Sequence, residues 1–206
     1  MILVTHAAAE DLSQAAHVLA RAFIDDPVMT AIVRPGGYRE RRLQQLFLAM
    51  LRSGPHPAGV VDIARDRAGG EILGVAAWEA PGATRGATKR QLVHAPLFVS
   101  ALGAAGLLRA IAVARRLAKH RPARPHWYLG EIGVAESARG KGVGTALLRS
   151  RLEAIDRTQH SAYLESSTPQ NRRLYKRFGF EEHSSIEGIR AASPVAMHRP
   201  PAPEPL

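Results

Sequence analysis

The segment Arg139-Gly140-Lys141-Gly142-Val143-Gly144 sets the tightest limit on what this chain can be. It stands between a strand-like run, "HWYLGEIGV", and a helix-like run, "TALLRSRLEAID". Glycines at alternate positions let the backbone turn tightly and offer several N–H groups to one anion. A helix that starts beside them adds the positive end of its dipole. Spacing excludes two other glycine loops. A nucleoside-triphosphatase loop needs G-x-x-x-x-G-K followed by Ser or Thr; here Gly142 follows Lys141, and no glycine stands five residues before Gly140. A dinucleotide fingerprint needs a third glycine, and Thr145 occupies that place. What is left is Arg139-x-x-Gly142-x-Gly144 between strand and helix, well made to hold a pyrophosphate, with a plain glycine-rich turn joining the two as the alternative.

A chain of 206 residues has room for one sizeable domain. Hydrophobic residues make up 46% and charged residues 22%, a globular core with a charged shell. The chain has no cysteine, which excludes a disulfide framework, a thiolate zinc site and a cysteine nucleophile. The formal charge of +10 comes from 24 Arg against 4 Lys. These cations are scattered and not interleaved with aromatic residues, so a polyanionic small ligand is expected and nucleic acid is not. The N-terminal "MILVTHAAAEDLSQ" has no secretory pattern. Ala95 to Leu108 is the most apolar stretch, 14 residues stopped by Arg109. That length reads as a buried helix rather than a membrane span. A cytoplasmic protein without a membrane partner is the expectation.

Along the chain, "MILVT" reads as a strand, followed by a helix with Leu12, Ala15, Ala16, Leu19, Ala22 and Phe23 on one stripe, ended by Asp25-Asp26-Pro27. Tyr38 to Gly54 reads as a second helix. "GVVDIARD" and "EILGVAAWEA", joined at Arg67-Ala68-Gly69-Gly70, read as a hairpin. Residues 85–121 read as an inserted pair of helices between proline boundaries. The strand, loop and helix around Gly142 follow. Next come a strand "SAYLESS", a short helix "NRRLYKRFG" and final strands in "FEEHSS" and "PVAMHR". The reading is one α/β domain over 1–199, with a proline-rich disordered tail over 200–206.

Gly133-Val134, the Arg139-x-x-Gly142-x-Gly144 loop and "NRRLYKRFGF", whose Asn171 lies 27 residues after Gly144, together resemble the GNAT family of N-acetyltransferases. Within it, "HWYLGEIGVAESARGKGVGTALL", "AYLESSTPQNRRLYKRFGF" and "LARAFIDDPV" look closest to the branch containing puromycin N-acetyltransferase. The resemblance is strong from His126 to Phe180 and weaker in the inserted helices. It implies the acyl-CoA N-acyltransferase fold: a mixed, mostly antiparallel central sheet splayed between two strands and flanked by helices. It also implies acetyl-CoA as co-substrate, no metal, and transfer to a primary amine, of a small molecule, by direct attack in a ternary complex. A protein or peptide acceptor, or a non-catalytic acyl-CoA-binding module, are the alternatives. Monomer and homodimer both stay open.

The resemblance also assigns residues. Backbone groups of Ile132, Gly133 and Val134 would pair with the pantetheine arm, and Arg139, Gly140, Lys141, Gly142, Val143, Gly144 and Thr145 would hold the pyrophosphate. Tyr175 would stand beside the thioester sulfur as general acid, since a phenol of reference pKa about 10 stays protonated at neutral pH. Asn171, one turn earlier, either bonds the cofactor or caps its helix. For the general base, Glu165 matches a glutamate of the resembling branch; Glu131 stands where that branch has a small residue; His126 or a water relay are the other options. Asp25 and Asp26 either attract the acceptor cation or end a helix. Trp78, Trp127 and Tyr128 read as core.

Overall fold

The computed structural model describes residues 1–66, 70–83 and 85–202. Residues 67–69 of the expected hairpin turn and residues 203–206 of the expected tail lie outside the described residues. Seven strands form one open sheet: β1 (Ile2–His6), β2 (Gly59–Asp66), β3 (Gly74–Glu79), β4 (His126–Val134), β5 (Ser161–Ser166), β6 (Glu181–Ser185) and β7 (Val195–Arg199). Their spatial order is β1-β2-β3-β4-β5-β7-β6, and every neighbouring pair is antiparallel except the parallel β4–β5. This is the mixed, mostly antiparallel sheet that the sequence implied.

Eight helices are described: α1 (Leu12–Ala22), α2 (Pro27–Ile32), α3 (Arg39–Ser53), α4 (Pro55–Ala58), α5 (Ala87–Val93), α6 (Ala95–Ala118), α7 (Val143–Arg157) and α8 (Pro169–Lys176). Alternation along the strands sends apolar side chains to both faces, and helices cover each face. On one side Leu19, Phe47, Val61, Ile63, Val75, Ala77 and Leu102 form a core under α1, α3 and α6. On the other, Ala76, Trp78, Leu129, Leu147, Leu148 and Leu164 form a second core under α7 and α8. The long helix α7 is clamped to the sheet by a buried ion pair, Arg151 Nη2 to Asp62 Oδ1 at 2.6 Å and Nε to Oδ2 at 2.9 Å. At its far end Asp156 takes both arms of Arg199 from β7. These two clamps fix where the N-terminus of α7 points.

Two short elements escaped the periodic reading. Asp25-Asp26-Pro27 ends no helix by itself: α1 stops at Ala22, and Asp26 opens α2 as its N-cap, its carboxylate accepting from Met29 N at 2.8 Å. Pro55, expected only as a stop, begins α4.

The apolar run at 95–108 is helical as expected but less buried than expected. The helical pair expected over 85–121 is present as α5 and α6, and α6 carries the apolar run on to Ala118, interrupted at Gly103, whose backbone (φ 60°, ψ 177°) leaves the helical region. By length and composition α6 is apolar enough to cross a membrane, with a mean hydropathy of 2.0, yet only 22% of its most apolar window is buried. It is not the core helix that its composition suggested.

Candidate active site

The β4–β5 ladder runs from His126–Ser161 to Leu129–Leu164 and stops there. β4 continues to Val134 on its other edge, paired with β3, while β5 continues to Ser166 paired with β7. From Gly130 to Val134, the β4 edge that faced β5 therefore has no strand partner. Ile132, Gly133 and Val134 lie on this opened edge. Gly133 has a second reason to be glycine, because a Cβ there would sit 2.8 Å from Ala22 Cβ.

A bulge decides which β4 side chains meet. Ala77 faces Glu131 and Trp78 faces Leu129, so Gly130 is an extra residue in β4. In a regular strand residues three apart point to opposite faces. The bulge returns Tyr128 and Glu131 to the same face, the side covered by α1, α3 and α6. Glu79 from the end of β3 and Glu165 from β5 reach the same cluster.

One cation answers these three carboxylates. Arg121, just beyond α6, lays its guanidinium 3.5 Å from the Tyr128 ring centroid. Its Nη1 is 3.8 Å from Glu79 and its Nε 3.7 Å from Glu165. The Tyr128 hydroxyl donates to Glu165 Oε2 at 2.8 Å. Burial raises the proton affinity of Glu165, opposed by Arg121 and by the tyrosine hydroxyls. Burial, helped by the charge of Glu79 and Glu165 and resisted by Arg121, pushes Glu131 up to about 8. Glu131 has no hydrogen-bond partner among the described residues, whereas Glu165 is engaged by Tyr128.

His126 occupies the closed end of the ladder, opposite Ser161, with Nδ1 2.8 Å from the Arg124 carbonyl. It does not join Glu131 at the splay. Tyr175 approaches from the other layer, buried on α8 with its ring edge-on to Phe180 at 6.0 Å. Burial and the charge of Asp26 raise its phenol above the ordinary value, and its hydroxyl makes no hydrogen bond among the described residues. Asp25, beside Asp26, is exposed, and Arg39 holds the segment in place through Ile24 O (2.8 Å) and Thr30 Oγ1 (2.9 Å). Asn171 does not cap α8. Thr168 does, accepting from Asn171 N at 3.3 Å, which leaves the Asn171 amide exposed.

The glycine loop supplies a set of donors. Gly140 and Gly142 have φ of +75° and +81°, a region that L side chains rarely adopt. The chain then enters α7 at Val143, two residues earlier than the sequence suggested. No side chain caps α7 and no acidic residue lies in its first turn. Its first intrahelical bond is Ala146 N to Gly142 O at 2.9 Å, so the N–H groups of Val143, Gly144 and Thr145 face outward without helical partners. Arg139 and Lys141 are exposed around them. Unpaired amides, a helix dipole and two cations fit a pyrophosphate.

Sequence reasoning missed Arg121 and Glu79 and placed Tyr128 in the core. No local pattern marks them, because their meeting depends on the return of the chain from α6 to β4.

The fold is shared with known proteins. The family model of the GNAT acetyltransferase domain matches residues 101–182. A Corynebacterium glutamicum structure named as histone acetyltransferase HPA2 and related acetyltransferase is 30% identical, with a TM-score of 0.78 over 100% of this chain and 99% of that one. An agmatine N-acetyltransferase shares the fold at 14% identity, TM-score 0.58, covering 96% of this chain and 98% of that one. An uncharacterized N-acetyltransferase of Schizosaccharomyces pombe is 38% identical over 60 residues, 29% of this chain and 24% of that relative, so the match spans about a quarter of its length. With a splayed sheet, a glycine loop heading α7 and full-length likeness to the Corynebacterium glutamicum acetyltransferase, the chain belongs to the GNAT family of acetyl-CoA-dependent N-acetyltransferases.

Proposed function

We propose that this protein acetylates a primary amine of a small molecule by direct attack in a ternary complex, with Glu131 as the base and Tyr175 as the acid. The observation that carries the reading is the position of Glu131. Its carboxyl lies just past the end of the β4–β5 ladder, on the strand edge left without a partner. Acetyl-CoA supplies the activated acyl group. The amides of Val143, Gly144 and Thr145, with Arg139 and Lys141, hold its pyrophosphate, and the open edge from Ile132 to Val134 receives its amide-bearing arm. Glu131 takes a proton from the acceptor nitrogen as the N–C bond forms, and the Tyr175 hydroxyl gives its proton to the departing sulfur as the C–S bond breaks. Charge supports a cationic acceptor: Glu79, Glu131 and Glu165 outnumber Arg121, and the charge of Asp26 acts on Tyr175.

The reading is tested by free-thiol release from acetyl-CoA across a panel of puromycin, polyamines, aminoglycosides, arylalkylamines and peptides. Release that depends on a small amine supports it. Release with peptides alone moves the acceptor to proteins, and no amine-dependent release with any acceptor removes the catalytic reading.

A further inference from the structure

Independently of the acetyl-transfer reading, we propose that the outer face of α5 and α6 docks on an anionic lipid surface. The segment between Glu79 and Glu131 is the source. Residues 80–130 hold nine Arg or Lys and no Asp or Glu. They also carry five of the protein's large exposed apolar side chains: Leu92, Val93, Val99, Leu108 and Ile111.

Helical spacing organises this surface. Ala104, Leu108, Ile111 and Arg115 recur at intervals of three and four, so they share the outward face of α6. The opposite face, through Leu102, Gly106 and Val113, is buried toward α3 and α2. The cations sit at both ends of the apolar stretch, Arg85 and Lys89 before Leu92, Arg115 and Lys119 after Ile111, all exposed. None of these four side chains is in an ion pair among the described residues.

Two charge arguments select the occupant. A second copy packed face to face would bring two uniformly basic segments together, which is repulsive. An anionic leaflet attracts them instead, and long basic side chains reach headgroups while their stems lie on apolar surface. The chemistry of the patch separates lipid from an acidic protein. Protein interface cores are enriched in aromatic residues, whereas the exposed large side chains here are aliphatic, with basic residues flanking them, and burial of such apolar area plus attraction to anionic lipid is what holds a helix at the interface. The 24-residue helix thus has one face packed in the core and the other, apolar and flanked by cations, free to lie on a membrane.

The test uses the full chain and sedimentation with vesicles of phosphatidylcholine alone or with an equal share of phosphatidylglycerol. The protein should pellet with the anionic vesicles only, and release at about 1 M salt, where screening acts within ~3 Å. Two double variants, Leu108→Glu with Ile111→Glu and Arg115→Glu with Lys119→Glu, should each lower the bound fraction by about tenfold or more. A third, Arg149→Glu with Arg157→Glu on the exposed side of α7, makes the same charge change elsewhere and should bind like the parent. Melting curves establish that all three fold. No pelleting with anionic vesicles overturns the proposal. So does an equal loss in the α7 variant, which would reduce binding to net charge. A parent dimer by light scattering that the Leu108 and Ile111 changes dissociate would assign the face to a second copy and overturn it too.

Discussion

Tyr175 reached this site by a different physical route from Glu165. The tyrosine sits in a compact local motif, "NRRLYKRFGF", and α8 delivers it without help from distant residues. Its placement was legible because helix, ring and following turn are all local. Glu165 was equally visible, but its function depends on partners 37 and 44 residues away, Tyr128 and Arg121, and these hold it in a buried network. The sequence offered Glu131 as an alternative base without the means to choose. The bulge at Gly130 and the crowding by Glu79 and Glu165 are what favour Glu131 in the mechanism we propose. For Tyr175, replacement by Phe deletes the proton donor and keeps the ring against Phe180. Single-turnover acetyl transfer should fall by roughly 10- to 1000-fold, with acetyl-CoA affinity changed only a few-fold. A lower melting temperature with near-normal turnover would instead mark a structural tyrosine.

Among the elements, the strands and the long helices followed their periodicities, and the open edge of β4 followed from the resemblance. The short helices α2 and α4 did not, since six and four residues carry too little period to read. α6 misled for the opposite reason. Its composition is that of a core helix, but the neighbouring helices cover only one of its faces, and composition cannot reveal which partner is missing. The loop before α7 is the element where conformation and charge can be tested separately. Gly142 has positive φ, and no atom lies within 4 Å of where a Cβ would stand, so Asp and Asn, which tolerate this region, meet no clash. Gly142→Asp adds a negative charge against the expected pyrophosphate, and Gly142→Asn does not. Calorimetry with coenzyme A should show the Asp variant at least about tenfold weaker than the Asn variant. Equal affinities for the two variants and the parent would place the pyrophosphate elsewhere.

Across the whole molecule, the site exists because four separated segments converge. β3 brings Glu79, the end of the α5–α6 segment brings Arg121, β4 brings Tyr128 and Glu131, and β5 brings Glu165. Arg121 thereby couples an apolar helical insertion to the protonation of the reacting centre. A carboxyl raised to about 8 is a base only above that pH, so its rate limb rises with pH through about 8. The same shift costs stability. Folded Glu131 holds its proton between its unfolded value of 4.5 and about 8, so its contribution favours the fold below 4.5 and is lost as pH rises to 8. The decisive measurement is the pH dependence of single-turnover acetyl transfer for the parent, Glu131→Gln, Arg121→Leu and Arg121→Lys. The parent limb should have its midpoint near 8, and Glu131→Gln should lose that limb with a fall of roughly 10²–10⁴-fold. Arg121→Leu, by removing the cation that lowers Glu131, should move the midpoint upward, and Arg121→Lys should restore it toward the parent. A limb that persists unchanged in Glu131→Gln would exclude Glu131 as the base.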